Sequence, residues 1–351
     1  MADLCFRYYG ISEFPSLKDA WKALEIGGDM TYFQTYDWNE MLWNLNKERR
    51  HRCFEIGFAS VERAGEVILI APLWIVKKQF GKYNQKGFHL FGNYGWSDYL
   101  NFIYKDFDEA AVGLMLGSLK EKFGLSNFHF ENIQNGSRLF DYLESSGNKP
   151  LSSQICVSLS VRGTGFDDYK GRLSKSSRQN IRTANNRLRK DGIELLFDFD
   201  DSEVDLKQFI EYRTVRVDKK NQWEGKNLKW RVINFISTKI LRRGRYRFAD
   251  YAPFTHDIRS KFMTAKTPDG ELCASFNYGV SPDMRSIVLM GVSTNPKYAK
   301  YSPGILLLFN FIEDAIANGR YDLVDFTRGN EPYKFALGGR EHLISEFNSE
   351  I

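Results

Sequence analysis

Apolar and polar positions in the first half of the chain follow two periods. Apolar side chains three and four positions apart predict amphipathic helices, and alternating or continuous apolar runs of strand length predict strands. The first half is therefore predicted to be mixed α and β. The predicted helices lie at 16–26, 33–45, 108–124 and 137–147, and the predicted strands at 53–62, 65–78, 87–104 (interrupted by a glycine-rich loop), 127–133 and 154–161.

The second half repeats this mixed pattern, which makes a duplicated module plausible. A hairpin is expected where Pro-Asp-Gly separates two apolar runs. Near the end, Ser302 suits the N-cap of a helix and Pro303 its first position, and the apolar stripe that follows ends at Gly319. The predicted elements are helices at 205–217, 228–241 and 303–318, the hairpin within 259–280, and strands at 285–294 and 321–327.

Composition indicates a folded protein with room for two domains. The 351 residues are 42% hydrophobic and 26% charged, both ordinary values. We place an N-terminal domain at 1–158 and a C-terminal domain at 159–351. The net charge of +5 is mild, so no DNA partner is expected.

Cysteine and histidine usage argues against a bound metal. The four cysteines form no CxxC pair, the five histidines are scattered, and Cys273 is expected in the core. The first residues lack a signal-peptide pattern, and no apolar run approaches the roughly 18 residues of a membrane span. We expect a cytoplasmic protein, with peripheral membrane contact left open.

The most basic segment contains eight Lys or Arg and no acid between residues 170 and 190. Helical spacing brings Lys175, Arg178, Arg182 and Arg189 onto one face of an amphipathic helix that stops at Gly192. Either a solvated helix face or a site for an anionic ligand fits this pattern.

Two features near the C-terminus suggest chemistry. The helix that begins at Ser302-Pro303-Gly304 could hold a phosphate on its unpaired N–H groups, although most capped helices bind nothing. The strand at 321–327 then leads into a polar cluster at 328–334. The two features belong to one site only if the strand at 321–327 lies beside the strand at 286–293.

The stretch YSPGILLLFNFIEDAIANGRYDLVDFTRGNEPYK resembles the closing signature of CelD/BcsL-type acetyltransferases of the GNAT superfamily. The segments TYFQTYDWNEMLWNL, APL, SDY (97–99) and LSKSSRQNIRTANNRLRKDG also look like that family, and the layout is similar to Fem peptidyltransferases. The turn KYAKYSPG departs from the general GNAT pyrophosphate loop in having one glycine. The residues that carry the resemblance are Tyr298, Tyr301, Ser302, Pro303, Gly304, Asp325, Phe326, Arg328, Gly329, Glu331, Tyr333 and Lys334.

The resemblance implies an α/β (α+β) fold of two tandem GNAT-like domains, each a mixed, mostly antiparallel sheet flanked by helices. It implies transfer of an acyl group, acetyl in the first instance, from acyl-CoA to an amine. The acceptor would be a small molecule or glycan, such as an amino sugar or a polysaccharide or cell-envelope precursor. Two alternatives stay open: a Fem-like transferase that uses aminoacyl-tRNA, and a non-catalytic module that binds a glycan or nucleotide-sugar.

Acyl transfer to an amine needs a base, donors for an oxyanion, and a proton for the leaving thiol. Glu331 and Asp98 are the candidate bases, and Lys334 could stabilise an oxyanion or hold a phosphate. Asp98 could equally be a turn cap, and Glu331 could pair with a neighbouring cation. The expected donor-binding residues are Tyr301, Ser302, Pro303, Gly304 and Ile305, and the expected substrate-binding residues are Arg328, Tyr333, Trp96, Tyr99, Arg178 and Arg182.

Overall fold

The computed structural model describes residues 3–27, 29–47, 53–79, 85–92, 97–223 and 260–350. The predicted helix at 228–241 and the candidate Trp96 lie outside these ranges. Short 3-10 helices at Ile11–Leu17, Tyr32–Gln34 and Pro296–Tyr301 supplement the main elements. In chain order these are β1 (Leu4–Gly10), α1 (Lys18–Leu24), α2 (Tyr36–Asn46), β2 (Phe54–Arg63), β3 (Glu66–Val76), β4 (Gly87–Leu90), β5 (Ile103–Tyr104), α3 (Glu109–Phe123), β6 (Asn127–Gln134), α4 (Arg138–Ser145), β7 (Ser152–Ser160), α5 (Phe166–Arg172), α6 (Lys175–Lys190), β8 (Leu196–Asp198), α7 (Leu206–Trp223), β9 (Ser260–Lys266), β10 (Leu272–Val280), β11 (Ser286–Thr294), α8 (Pro303–Asn318), β12 (Leu323–Arg328), α9 (Pro332–Ala336) and β13 (Arg340–Glu350).

The described strands form one continuous sheet. Its order is β1-β2-β3-β4-β6-β13-β7-β12-β11-β10-β9-β8, with β5 added beside β3. Only two neighbouring pairs in this sheet are parallel, β4 with β6 and β11 with β12. The predicted mixed α/β fold with a mostly antiparallel sheet is therefore confirmed, with one difference: both halves share a single sheet.

The two halves repeat the same strand order from opposite edges. Each runs through antiparallel strands to a parallel pair, whose members are connected across α3 in the first half and across α8 in the second. The closing strands are exchanged, because β13 pairs with β6 and β7 pairs with β12. β7 spans the predicted boundary at 158/159, and that boundary stays a prediction.

Helices cover both faces of the sheet. On one face, α3 and α4 pack over the first half, and α5, α6 and α8 pack over the second. On the opposite face, α1, α2 and α7 bury an aromatic-rich core that includes Trp21, Trp38 and Phe58. Among the described residues, no helix combines the length and apolar character that crossing a membrane requires.

Helix boundaries follow local capping chemistry. The carboxylate of Asp108 accepts from the Ala111 N–H at the start of α3, and left-handed Gly124 ends that helix as predicted. The basic segment at 170–190 is two helices, because Ser174 caps a new one, α6. Ser302 occupies the N-cap of α8, but its backbone is left-handed (φ 51°) and its side chain caps nothing, so the expected capping hydrogen bond is wrong.

Strand β13 has no counterpart among the predicted elements, although it lies near the middle of the sheet. Its sequence, REHLISEFNSE, is rich in polar residues because several of its side chains stay exposed. Burial is confined to Ile344, Ser345, Phe347 and Ser349. Its long ladders with β6 and β7 therefore come from backbone hydrogen bonding more than from an apolar stripe.

Gly279 on β10 allows the ring of Tyr32 to lie directly on the sheet. A Cβ at residue 279 would come within 2.2 Å of the Tyr32 ring. We expect Gly279→Ala to lower the free energy of unfolding by about 1–3 kcal/mol through overpacking. Gly113→Ala on α3 is the matched control, because its Cβ would meet nothing within 4 Å and should stabilise the helix by roughly 0.5–1 kcal/mol. Urea unfolding measures both, and equal stability of the two variants would contradict the close packing.

Candidate functional site

Strands β11 and β12 lie side by side, as the proposed site requires. Their parallel register pairs Ser286 with Leu323, Ile287 with Val324 and Val288 with Asp325. Pairing ends there, although β11 continues to Thr294 and β12 to Arg328. We call the opening between 289–294 and 326–328 the strand gap. The Thr327 hydroxyl crosses it, donating to the Leu289 carbonyl at 3.0 Å.

The backbone at Thr327 causes the two strands to part. Thr327 has a φ of 57°, a left-handed conformation that a β-branched residue rarely adopts. The pairing of β12 with β7 shifts register between Asp325 and Arg328 at the same point. Asp325 stabilises the kink, because its Oδ1 accepts from the Thr327 N–H at 2.6 Å.

Asp325 lies at the centre of a buried polar network that joins the two halves. The Tyr99 hydroxyl donates to Asp325 Oδ2 at 2.7 Å and lies 3.0 Å from His342 Nε2. The other ring nitrogen of His342 is 3.4 Å from the Ser158 hydroxyl. Four segments, β7, β12, β13 and the loop that carries Tyr99, therefore converge on one carboxyl group.

Burial changes the acid–base properties of this network. Removal from water raises the pKa of Asp325 to about 7, with Asp98 also raising it, while hydrogen bonds from Tyr99 and the Thr327 N–H and the charge of Lys334 oppose the rise. Burial, with the Lys334 charge adding to it, lowers the pKa of His342. Asp325 can therefore exchange a proton near neutral pH, a property suited to a general base.

Asp98 pairs with Arg328 across the two halves of the chain. Their side chains are 21% and 29% exposed, so the pair is partly desolvated. Asp98 and Arg328 were predicted as a base and a substrate clamp, and the structure brings them together. In this geometry each neutralises the other, and the pair fixes the loop at 97–99 against the end of β12.

Lys334 is buried beneath the turn that follows β12. Its ammonium group donates to the carbonyl oxygens of Thr327, Arg328 and Gly329 at 3.1, 2.6 and 3.0 Å, and it lies 3.0 Å from Glu331. These carbonyls account for all three ammonium protons. The predicted roles of Lys334 and Glu331 at a reacting centre stay predictions, and the observed contacts give both residues a structural task. Tyr333 packs beside them against Phe326.

Two tyrosines fix the turn before α8. The Tyr298 hydroxyl donates to Glu271 at 2.6 Å, and the Tyr301 hydroxyl donates to Asp191 at 2.6 Å. Both rings are buried, so Tyr301 shapes the predicted donor-binding turn through its ring and its bond to Asp191.

The first turn of α8 offers fewer donors than its sequence suggested. Pro303 has no N–H, and the N–H groups of Ile305 and Leu306 both donate to the Ser302 carbonyl. Within the described part of the chain this leaves the Gly304 N–H unpaired. A Cβ on Gly304 would have its nearest neighbours, Phe276 and Thr294, 3.7 Å away, which is ordinary contact without a clash.

The predicted basic face of α6 is exposed but not uniform in role. The Arg178 guanidinium donates to the carbonyls of Lys170, Gly171 and Leu173 and so caps the end of α5. Arg182 is exposed on the same helix. Near the other end of α6, Arg187 donates to the Lys300 carbonyl at 2.9 Å, which places the basic helix beside the turn before α8.

A cleft of about 230 Å³ opens at the seam between the two halves, and we call it the seam cleft. Residues 29–31 and the turn 134–137 line it from the first half. Ser281, residues 286–288, Leu323 and Asp325 line it from the second half. The cleft thus reaches Asp325 at the point where β11 and β12 begin to part.

Sequence reasoning treated Asp325 as part of a motif and missed its neighbours Asp29, Ser281 and His342. One signal was available for Asp325, a lone carboxylate within the apolar strand run LVDF. Nothing in the local pattern marks the others, because they lie far apart in the chain and only the sheet topology brings them together.

Part of the chain matches a known protein family. Residues 175–335 match the family described as "Acetyltransferase (GNAT) domain". None of the curated proteins matches the chain significantly in sequence. This match lies in the second half of the chain and supports the predicted acyltransferase, while the CelD/BcsL type stays a prediction.

Solved structures show the same fold at low sequence identity. FemX is 12% identical with a TM-score of 0.63, over 95% of this chain and 96% of that one. A tandem GNAT protein from the clavulanic acid biosynthesis pathway is 10% identical, with a TM-score of 0.50 over 99% and 98%. L-PGS from Bacillus licheniformis is 10% identical, with a TM-score of 0.52 over 94% and 90%. The predicted tandem GNAT-like fold is confirmed.

The contacts of Lys334 predict a structural role that unfolding can measure. We expect Lys334→Met to lower the free energy of unfolding by about 3–5 kcal/mol, because it leaves three carbonyls and a carboxylate without their cation. Lys170→Met is the control, since Lys170 forms an exposed pair with Asp167 and its loss should change little. Wild-type stability in Lys334→Met would instead favour a role for Lys334 in ligand binding.

The raised pKa of Asp325 predicts a pH-dependent stability. A folded-state pKa of about 7, against the ordinary value of 3.8, means that this group's stabilisation is present below about pH 4 and is lost as pH rises through 7. Asp325→Asn removes the buried charge. Its free energy of unfolding, taken relative to that of the wild type, should therefore be about 1–3 kcal/mol higher at pH 8 than at pH 5. Urea unfolding at both pH values tests this. Asp167→Asn should show no such gain, because the pKa of Asp167 is lowered from 3.8 by Lys170.

Proposed function

We propose that the protein is a cytoplasmic N-acyltransferase. It would transfer an acyl group, acetyl in the simplest case, from acyl-CoA to the amine of a small-molecule or glycan acceptor, such as an amino sugar or a precursor of a polysaccharide or of the cell envelope. The observation that carries this proposal is an asymmetry between the two repeated halves: the second half has the strand gap beside an uncapped helix, and the first half does not.

In the first half, the chain itself closes the equivalent opening. Asn132 on β6 has a φ of 56° and corresponds to Thr327 in the repeated strand order. Its carbonyl accepts from the Leu100 N–H at 3.1 Å, and its side chain donates to the Ser97 carbonyl at 3.0 Å. The Asp108 carboxylate, which pairs with Arg63, accepts from the Ala111 N–H at the start of α3 and so occupies the helix terminus that a phosphate would need. The first half is therefore poorly suited to an anionic donor.

In the second half, the features match the chemistry of acyl-CoA, which carries its thioester on an extended, amide-containing arm attached to a pyrophosphate. Beyond Val288, β11 has no ladder partner on its β12 side within the described residues, so an extended arm could pair with that edge. The Gly304 N–H and the α8 dipole favour a phosphate at the turn, and the basic α6 lies beside it. The residues present fit this co-substrate.

The Fem-like alternative has its own supporting observation. The basic face of α6 is exposed, and the fold is similar to FemX over nearly the whole chain. Binding of tRNA through such a face would weaken steeply with added salt. A non-catalytic glycan or nucleotide-sugar module would use the same fold without turnover.

Gly304→Asp tests the donor site directly. It places a carboxylate at the start of α8, as Asp108 does at α3, and should weaken acetyl-CoA binding at least tenfold by charge repulsion. Isothermal titration calorimetry measures the affinity, and release of free thiol with an amine measures turnover. A Cβ at residue 304 would meet its neighbours at ordinary contact distance, and Gly113→Asp, at an exposed position within α3, is the control for the added charge.

Several outcomes would contradict the proposal. Unchanged acetyl-CoA affinity in Gly304→Asp would show that the start of α8 is not part of the donor site. Absence of acetyl-CoA binding, combined with salt-sensitive binding of tRNA, would support the Fem-like transferase. Binding of glycan without release of thiol for any amine would support the non-catalytic module.

A further inference from the structure

The seam cleft carries a negative charge that no cation on its walls balances. Asp29 and Asp325 are the charged residues among the described residues that line it, and no Lys or Arg lines it there. Asp29 is exposed at the cleft, where its Oδ2 accepts from the Arg138 N–H at 2.6 Å and from the Tyr104 hydroxyl at 3.1 Å. Two carboxylates facing one small cleft favour a cationic ligand.

Uncommitted hydrogen-bonding groups provide a second, independent observation. Ser281 lines the cleft and is only 1% exposed, yet its hydroxyl makes no hydrogen bond to any described residue. Asn135 accepts from the Ser345 hydroxyl at 2.7 Å, and its amide N–H groups have no partner in the described ranges. Buried polar groups are normally satisfied, so the Ser281 hydroxyl indicates a ligand with a polar substituent, and the partly buried Asn135 amide offers such a ligand further donors.

Size and position narrow the ligand further. A cleft of about 230 Å³ is smaller than the roughly 300–1,000 Å³ of pockets for drug-sized molecules, so it suits one small ring or its equivalent. Asp325 belongs both to the cleft wall and to the last paired position before the strand gap. A ligand in the cleft can thus meet a group that enters through the strand gap.

We propose that the seam cleft is the acceptor site and takes a small primary amine bearing hydroxyl groups, bound as an ammonium ion by Asp29 and Asp325, with Asp325 as the base that removes its proton. This assignment rests on the proposed acyltransferase function and deepens it. Ser281 and Asn135 would bind the hydroxyl groups.

The proton balance assigns Asp325 one defined step. The ammonium ion gives one proton to the Asp325 carboxylate, and the neutral nitrogen attacks the thioester carbonyl carbon. The C–N bond forms, the C–S bond breaks, and a second proton from the nitrogen passes to the leaving thiolate. Asp325 then returns its proton to solvent. Tyr99 holds Asp325 in place and is a positioning residue, since its hydroxyl bonds to the carboxylate.

Amine binding without any acyl donor tests the acceptor site. Calorimetry at pH 8 compares glucosamine, galactosamine and serinol with the amine-free analogues glucose, galactose and glycerol. At least one amine should bind, and its amine-free analogue should bind at least tenfold more weakly. Asp29→Asn and Asp325→Asn should each lower the affinity for that amine at least tenfold. Asp167→Asn, an exposed carboxylate outside the cleft, should bind it as wild type does.

Two results would overturn the assignment: no amine that binds better than its analogue, or undiminished amine binding in every cleft variant that folds. Unfolding curves establish whether each variant is folded, and Asp29→Asn provides an exposed position if Asp325→Asn fails to fold. Acetyl-CoA affinity measured on the same samples separates the two proposals. If the wild type binds acetyl-CoA but no amine, only the acceptor site is refuted. If the wild type does not bind acetyl-CoA, the proposed acyl-CoA-dependent activity is refuted.

Discussion

The insertion of β13 between β6 and β7 is the constraint on which the rest of the structure depends. Its two ladders convert what would be separate sheets into one and fix the halves at a single relative orientation. That orientation brings Tyr99 of the first half and His342 of β13 to Asp325 of the second. Without this strand the network would lose His342, and the two halves would lose the ladders that join them.

Repetition with divergence explains how one chain holds two similar halves and one proposed donor site. Both halves kink a strand through a left-handed residue beside a parallel partner. The first half then fills its opening with residues 97–100 and caps its helix with a carboxylate, whereas the second leaves opening and helix start available. The proposed donor site therefore lies in the second half, and the equivalent opening in the first half is closed.

The sequence could predict the elements that depend on local pattern, but it could not predict the contacts that depend on long-range topology. The helix at 303–318, the basic helix and the strands at 286–293 and 321–327 follow from periodicity and a recognisable motif, whereas the pairing of those two strands is known only from the structure. Strand β13 escaped prediction because a central strand need not be apolar when backbone ladders hold it. The pairing of Asp98 with Arg328 and the three carbonyls around Lys334 escaped because charge type alone does not reveal a partner.

The position of β13 also governs how the fold can be reached. It follows every other described strand in the chain, yet it closes a gap near the middle of the sheet. Until residues 340–350 have been synthesised, β6 and β7 present bare edges that invite pairing with other chains. Contacts between β13 and β6 join residues about 200 positions apart, so closure carries a large loop entropy and should be slow. The architecture that unites the two halves therefore exposes the nascent protein to misassembly until β13 has been made.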